Sequence, residues 1–151
     1  HVFVAGWTVS GTDFPSTAYL LLPTTGAGSR AMVYQKSLPP GAADAPFIFR
    51  LDPAAGGIQE MVFATHLGAT GADRAYALAL DDSDNSYIAG WTVSSDWTLA
   101  ADPVTPGANG INVTGATTQN TTSGPRDAFV AAIDSAGQFQ PFFSYLGIAS
   151  L

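Results

Sequence analysis

The feature that most constrains this chain is an internal repeat. Three blocks of sequence occur twice in the same order: residues 5–10 with 89–94, residues 44–52 with 127–134, and residues 63–68 with 142–147. The first of these blocks, Ala-Gly-Trp-Thr-Val-Ser, is identical in both copies. The order of the blocks is kept while the spacing between them varies, as expected when only loops take insertions. The chain therefore contains a duplicated structural unit of about 80 residues.

The second copy of this unit reads as four short β-strands. The strands are predicted near residues 75–80, 87–93, 129–133 and 139–146. They are apolar at most positions, which indicates burial on both faces, and no segment shows a helical period with capping residues. Hydrophobic residues make up 46% of the chain and charged residues only 11%, which favours a packed core over disorder. The fold class predicted is all-β.

Four antiparallel strands per repeat, buried on both faces, are typical of a β-propeller blade. The predicted first strand carries Ala75, Ala77 and Ala79, and such small residues suit the crowded innermost position of a blade. The predicted last strand is rich in aromatic residues, which suit the wide outer rim. A β-sandwich is the alternative, because its strands are also short and separated by glycine. The internal repeat favours the propeller.

The strands divide the chain into one partial and one complete blade. Residues 1–67 supply the second to fourth strands of one blade, with a long insert at 10–45. Residues 68–147 form a complete blade with a second insert at 94–126, and residues 148–151 begin a next blade. Seven strands make about 1.75 blades, whereas a ring has typically four or more. We expect an incomplete ring, completed by remaining blades of the same polypeptide, by other copies or by another subunit.

The repeat also resembles a known family. The residues that carry the resemblance are Leu67-Gly68, Gly71, Asp73, Ala75-Tyr76, Asp81–Asn85, Tyr87, Ala89-Gly90, Thr92, Asp127–Val130, Ile133-Asp134, Gly137 and Ser144–Gly147. This pattern resembles the SBBP repeat, the beta-propeller repeat of large exported bacterial proteins. Asp13-Phe14-Pro15 also matches it, whereas the second copy has Asp96-Trp97-Thr98 there. The resemblance implies an extracellular or cell-surface location, and it brings no shared set of catalytic residues.

Charge and composition exclude several classes of partner. The net charge is −7, from five basic and 12 acidic residues, and the arginines are scattered. A nucleic-acid partner is not expected, because binding to phosphates needs clustered basic residues. No apolar stretch approaches the roughly 20 residues of a membrane-spanning helix. The chain has no cysteine, so disulfides and thiolate metal sites are excluded.

Both inserts and the loop at 68–74 are predicted to emerge at the same end of the blades, because antiparallel strands alternate in direction. Loops on a rigid scaffold often bind ligands. The candidate ligand-binding residues at this end are Asp13, Arg74, Asp96 and Trp97. The structural alternative is that Asp73 and Asp127 fix turns, that Arg74 and Arg126 pair with them, and that Trp97 packs against its insert.

Three further features have a functional and a structural interpretation. Asp82, Asp84 and Asn85 offer the oxygen ligands that calcium prefers. The alternative is a tight turn stabilised by local side-chain hydrogen bonds, with no cofactor. His66 aligns with Tyr145 of the second copy, which favours aromatic packing over metal binding. Trp7 and Trp91, which occupy equivalent positions, are predicted to lie in the core.

No catalytic motif is found in the sequence. Residues 26–30 lack the final glycine of a nucleophile elbow, and Glu60 is the only glutamate. The function expected is therefore a non-enzymatic structural or interaction segment of an exported or cell-surface protein, as part of a filament or an accessory subunit. Two alternatives stay open: a carbohydrate- or peptide-binding module that uses the long-loop end, and a fragment of a propeller-based enzyme with catalytic residues elsewhere.

Overall fold

The computed structural model describes residues 1–11, 13–14, 38, 40–55, 60–97, 122–137 and 142–147, and these contain seven β-strands and no α-helix. A three-stranded antiparallel sheet has the order β1 (Val2–Thr8), β2 (Ala45–Leu51), β3 (Met61–His66). A four-stranded antiparallel sheet has the order β4 (Asp73–Leu80), β5 (Ser86–Thr92), β6 (Asp127–Ile133), β7 (Phe142–Leu146). The all-β prediction is confirmed. Most of the two inserts and residues 148–151 lie outside the described residues.

The sequence repeat is also a structural repeat. Gly6 of β1 lies opposite Phe47 of β2, and Gly90 of β5 lies opposite Phe129 of β6 in the same way. Strands β1, β2 and β3 therefore correspond to β5, β6 and β7. Among the strands that the structure describes, the three-stranded sheet has no counterpart of β4.

One detail of the sequence alignment is wrong. The two blocks align Asp44 with Asp127, but Asp127 pairs with Thr92 as Ala45 pairs with Thr8. The shift arises because Pro46 adds one residue between the aspartate and the first phenylalanine of β2. Asp44 therefore lies just before its strand, whereas Asp127 is the first residue of β6.

The core lies between the two sheets, which pack face to face. Ile48 and Phe63 from the three-stranded sheet join Ile88, Phe129 and other residues of the four-stranded sheet in one buried cluster. Each fully buried side chain of this size contributes roughly 1.5–3 kcal/mol to folding. The sheets are therefore held together by apolar burial across their shared interface.

A glycine permits close approach of β4 to β5. The pairing skips one residue, since Ala75 lies opposite Gly90 and Ala77 lies opposite Ala89. At this bulge a Cβ on Gly90 would lie 1.8 Å from the carbonyl oxygen of Arg74. Gly6 is the equivalent residue of β1, and there a Cβ would meet only the ring of Phe47, at 3.0 Å.

The two equivalent glycines are predicted to differ in their tolerance of alanine. Gly90→Ala forces two backbones apart, so we expect it to lower the free energy of unfolding by about 3 kcal/mol or more. Gly6→Ala displaces only the tip of a half-buried ring, so its cost is below about 1 kcal/mol. Urea unfolding of both variants measures the difference, and equal losses would contradict the β4–β5 arrangement.

Candidate interaction site at the insert end

Among the described residues, two of the segments predicted to share one end do come together: the loop before β4 and the start of the second insert. The N–H of Val93 donates to the carbonyl of Ala72 at 3.0 Å, and the N–H of Gly71 donates to the Ser94 hydroxyl at 2.8 Å. These bonds tie the loop before β4 to the segment after β5. We call this end of the sheets the insert end, and the opposite end the turn end.

Asp73 organises the insert end from a buried position. Its carboxylate accepts hydrogen bonds from the N–H of Ala69 and from the hydroxyls of Thr92 and Ser94. Burial raises the pKa of Asp73 above its ordinary value, and these hydrogen bonds oppose that rise by favouring the charged form. The prediction that Asp73 fixes its turn is confirmed.

Asp44 joins the two sheets at this end. One carboxylate oxygen, Oδ1, accepts the N–H of Asp73 at 3.0 Å. The other, Oδ2, accepts a hydrogen bond from Nε of Arg74 at 2.7 Å and lies 2.7 Å from its Nη2. The prediction that Arg74 pairs with Asp73 is wrong, because the Asp73 carboxylate is occupied by the loop and Asp44 supplies the countercharge instead.

Arginine and tryptophan side chains form a row along the insert end, which we call the Trp–Arg ladder. The guanidinium of Arg74 lies 3.9 Å from the ring centre of Trp7 and 5.2 Å from that of Trp91. The guanidinium of Arg126 lies 4.0 Å from the ring centre of Trp91. Such cation–π contacts are favourable for both partners. The ladder links the two sheets, because Trp7 belongs to β1 and Arg74 belongs to β4.

The prediction that both tryptophans lie in the core is wrong. Trp7 is 40% exposed and Trp91 is half-buried. Both residues come near the end of their strands, where arginine side chains lie against their rings. Their structural equivalence, which the repeat predicted, does hold. Arg126 stands directly before β6, in the register position that Asp44 takes before β2.

Trp97 packs in the core and is only 4% exposed. Its ring lies 4.7 Å from the rings of Phe129 and Phe143. Phe14 occupies the equivalent place in the three-stranded sheet, where its ring lies 5.7 Å from that of Phe47. The structure therefore contradicts the use of Trp97 as a surface ligand-binding residue and favours the packing alternative.

The other candidate ligand-binding residues do not form one cluster with Trp97. The Asp96 carboxylate is exposed and accepts the Thr70 hydroxyl at 2.9 Å. Asp13 is exposed and precedes the buried Phe14. Arg74 is held by Asp44. A ligand role for Asp13, Arg74 and Asp96 stays a prediction.

His66 and Tyr145 make equivalent contacts in the two sheets. His66 is fully buried, with its ring 3.9 Å from that of Phe14, so the packing prediction is confirmed. Its Nε2 lies 3.0 Å from the carbonyl oxygen of Ser10, and the Tyr145 hydroxyl donates to the carbonyl of Ser94 at 2.9 Å. Sequence reasoning missed this polar tie, although both serines end the repeated hexapeptide.

At the turn end, the acidic segment after β4 forms a tight turn. Asp81 accepts hydrogen bonds from the N–H and the side-chain amide of Asn85, and Asp84 adopts a left-handed backbone with φ of 62°. The side-chain hydrogen bond from Asn85 is the main cause that lowers the pKa of Asp81. The turn interpretation is confirmed. The described residues contain no group of three or more acidic, histidine or cysteine side chains that could hold a metal.

Calcium binding at Asp82, Asp84 and Asn85 stays a prediction. The same turn has another role that sequence reasoning missed. Arg50 of β2 donates to the Asp84 carboxylate at 2.9 Å and to the carbonyl of Ser135 at 2.6 Å. Arg50 therefore ties the two sheets at the turn end, as Asp44 does at the insert end.

The family of the repeat follows from comparison with protein-family models. Residues 62–96 match the model described as the beta-propeller repeat, SBBP. The chain carries an SBBP repeat. The match runs from β3 of the three-stranded sheet, through the loop before β4, to just beyond β5, so it includes strands of both sheets. The sheets are thus propeller blades, and other blades complete the fold.

No curated protein matches the chain. Within the described part of the chain, no helix is long and apolar enough to span a membrane. The matched residues include Asp73, Arg74 and the Asp81 turn. The other partners in the contacts at the two ends of the junction, Asp44, Arg50 and Ser135, lie outside the matched residues.

The raised pKa of Asp73 predicts a pH dependence of stability. Since the folded state binds this proton more tightly than the unfolded state, its contribution is full below the ordinary aspartate pKa. This contribution to stability is lost as the pH rises through the raised pKa of the folded state. Above that pKa it does not change further with pH. In Asp73→Asn this dependence is absent, so the stability difference between wild type and variant falls across that interval.

Urea unfolding at a series of pH values measures this difference, and NMR of the Asp73 carboxyl locates the titration. A difference that is flat, or that grows as the pH rises through this interval, would contradict the burial assigned to Asp73.

Proposed function

We propose that this chain is a non-enzymatic structural or interaction segment of an exported or cell-surface bacterial propeller protein. In that role it serves within a filament or as an accessory subunit of a larger assembly. The observation that carries the proposal is a sheet face that is exposed along β1. The three-stranded sheet has a front face, which packs on the four-stranded sheet, and a rear face formed by the alternate side chains of its strands.

Along β1, the rear face of the three-stranded sheet is open where its counterpart along β5 is closed. Val4 on the rear face is 39% exposed, whereas the equivalent Ile88 is 0% exposed. Val2 is 45% exposed, whereas the equivalent Ser86 is 0% exposed. In the four-stranded sheet this face is covered by the neighbouring blade. We therefore expect the rear face of the three-stranded sheet to be covered by another blade in the same way.

The chemistry of the rear face supports a protein partner. Alternate residues of β1 and β2 supply its side chains, namely Val2, Val4, Phe47, Phe49 and Leu51. Val2 and Val4 are exposed, whereas Phe47, Phe49 and Leu51 are half-buried. Exposed apolar surface on a sheet face marks interaction sites. The surface that covers the equivalent face in the four-stranded sheet is the front face of another blade. Another SBBP blade is therefore the best-matched partner.

The hydrogen bonds of the buried polar groups support a non-catalytic role. Asp44, Asp73 and Tyr145 each hold two parts of the scaffold together through hydrogen bonds. Catalytic groups would instead be directed toward a cleft where a substrate binds. The exported location rests on the SBBP repeat alone.

Association of the purified chain is predicted to depend on the rear face. Val4→Glu places a charge where a covering blade packs, so we expect it to abolish concentration-dependent association in sedimentation velocity. Val9→Glu is the matched control, because Val9 lies beyond β1 and is 68% exposed. Association of the Val9→Glu variant should equal that of wild type.

The result that would contradict the proposal is a wild-type chain that stays monomeric at all concentrations, melts cooperatively and binds no hydrophobic dye. Such a chain would have no need of a covering blade.

A further inference from the structure

His66 stands where the four-stranded sheet has a residue that does not titrate in weak acid. Its equivalent there is Tyr145, and both side chains are 0% exposed. Burial raises the pKa of the Tyr145 phenol, so this residue stays neutral in weak acid and at neutral pH. Histidine is the residue whose charge ordinarily changes in that range. Weak acid can therefore change the charge at this position in the three-stranded sheet but not in the four-stranded sheet.

The His66 ring holds the beginning of the first insert against the rear face. Its centre lies 3.9 Å from that of the Phe14 ring. Its Nε2 lies 3.0 Å from the carbonyl oxygen of Ser10, which can only accept, so Nε2 carries a proton and donates it. Phe14 is 4% exposed and packs on the rings of Phe47 and Phe49, at 5.7 and 5.2 Å. Loss of Phe14 from this place would uncover two rings of the rear face.

We propose that His66 is a proton-sensitive switch that controls access to the rear face. At neutral pH the uncharged ring keeps Phe14 packed on the three-stranded sheet. In weak acid His66 takes up a proton, Phe14 leaves its place, and Phe47 and Phe49 are uncovered. The inference goes beyond the proposed function and does not depend on it, because the contacts that carry it lie within this chain.

The described surroundings of His66 disfavour its charged form. Phe47 of β2 lies opposite His66 in the sheet. The charged residue of β2 is Arg50, whose side chain is on the front face and binds the four-stranded sheet. Residues 9–11, which follow β1, have no ionisable side chain. Asp13 is exposed, so water weakens its effect on a buried ring.

Two further carboxylates lie near the end of β3, and both are held by donors of their own. Asp44 binds the N–H of Asp73 and the guanidinium of Arg74. Asp73 binds the N–H of Ala69 and two hydroxyls. These contacts direct both carboxylates to the junction and the loop before β4.

A proton on His66 costs more than the packing of Phe14 provides. A charge buried among apolar side chains is far less stable than the same charge in water. One buried aromatic side chain stabilises its segment by less than such a charge destabilises it. A cation–π contact between the protonated ring and Phe14 offsets part of this cost. We therefore expect the charged ring to reach water, and Phe14 must move before it can.

The direction of the pH effect follows from linkage. Released His66 binds a proton more tightly than buried His66, so the packed state of Phe14 has its full stability above the ordinary histidine pKa of about 6.5. That stability is lost as the pH falls below this value, until the buried ring is itself protonated. Because one proton is involved, the equilibrium constant for release rises by up to about tenfold for each pH unit.

NMR of the full chain, titrated from neutral pH into weak acid, tests the switch. We expect the His66 imidazole to titrate with a midpoint below that of an exposed histidine. The Phe14 ring should lose its packed signals with the same midpoint, and a soluble paramagnetic agent should then broaden the signals of Phe47 and Phe49. Trp97 is the internal control, because it lies in the place equivalent to Phe14, with its N–H donating to the Tyr145 hydroxyl. Its ring signals should not change.

Two variants separate the switch from other titrations. His66→Tyr copies the four-stranded sheet and does not titrate in this range, so Phe14 should stay packed throughout. His1→Gln removes the other histidine of the chain and should leave the wild-type transition unchanged. If His66→Tyr does not fold, the comparison of Phe14 with Trp97 in wild type decides the matter.

The inference is overturned if His66 titrates at or above the midpoint of an exposed histidine, or if Phe14 keeps its packed signals once His66 is protonated. It is equally overturned if the transition persists in His66→Tyr. A loss of the Trp97 signals with the same midpoint would also overturn it, since the change would then be global rather than local to the first insert. None of these results bears on the association that depends on Val4, so the proposed function is tested separately.

Discussion

The Asp44 carboxylate is the contact on which the junction of the two sheets depends. It is almost fully buried, and a buried charge is tolerated only when it is paired and hydrogen-bonded. The Asp73 N–H and the Arg74 guanidinium meet that need, and both belong to the neighbouring sheet. Because Asp44 fixes Arg74, it also sets the position of the cation between Trp7 and Trp91. The start of β4 and the position of Arg74 in the Trp–Arg ladder thus depend on one ion pair.

Polar contacts join the two sheets at both ends of the junction, but the groups involved differ. At the insert end a buried carboxylate receives donors from the next blade. At the turn end the donor is Arg50, which binds the Asp84 carboxylate and the Ser135 carbonyl of the next blade. Between these ends the interface is apolar. A junction that is apolar in the centre and polar at both ends fixes the relative position of the blades as well as their contact.

The repeat made most of the fold predictable from the sequence. The predictions that were wrong have a common physical cause. Strand positions and the packing of His66 follow from patterns that occur in both copies, and the turn at Asp81 follows from its own local sequence. The partner of Arg74 and the exposure of Trp7 depend on which neighbouring sheet supplies the contact, and periodicity within one strand carries no such information. The sequence left two interpretations of Trp97 open, and only its contacts with Phe129 and Phe143 decide that it packs in the core.

The central claim is that the two sheets are adjoining blades that unfold as one unit through their shared junction. Native-state hydrogen exchange tests it most directly, by comparing the most protected amides of β2 with those of β6. If the two sheets unfold as one unit, the amides of β2 and β6 should have the same opening free energy. Asp44→Ala, which removes the ion pair, should lower both free energies by the same amount. Amides of β2 that open independently of β6, with a lower free energy that Asp44→Ala leaves unchanged, would contradict the account.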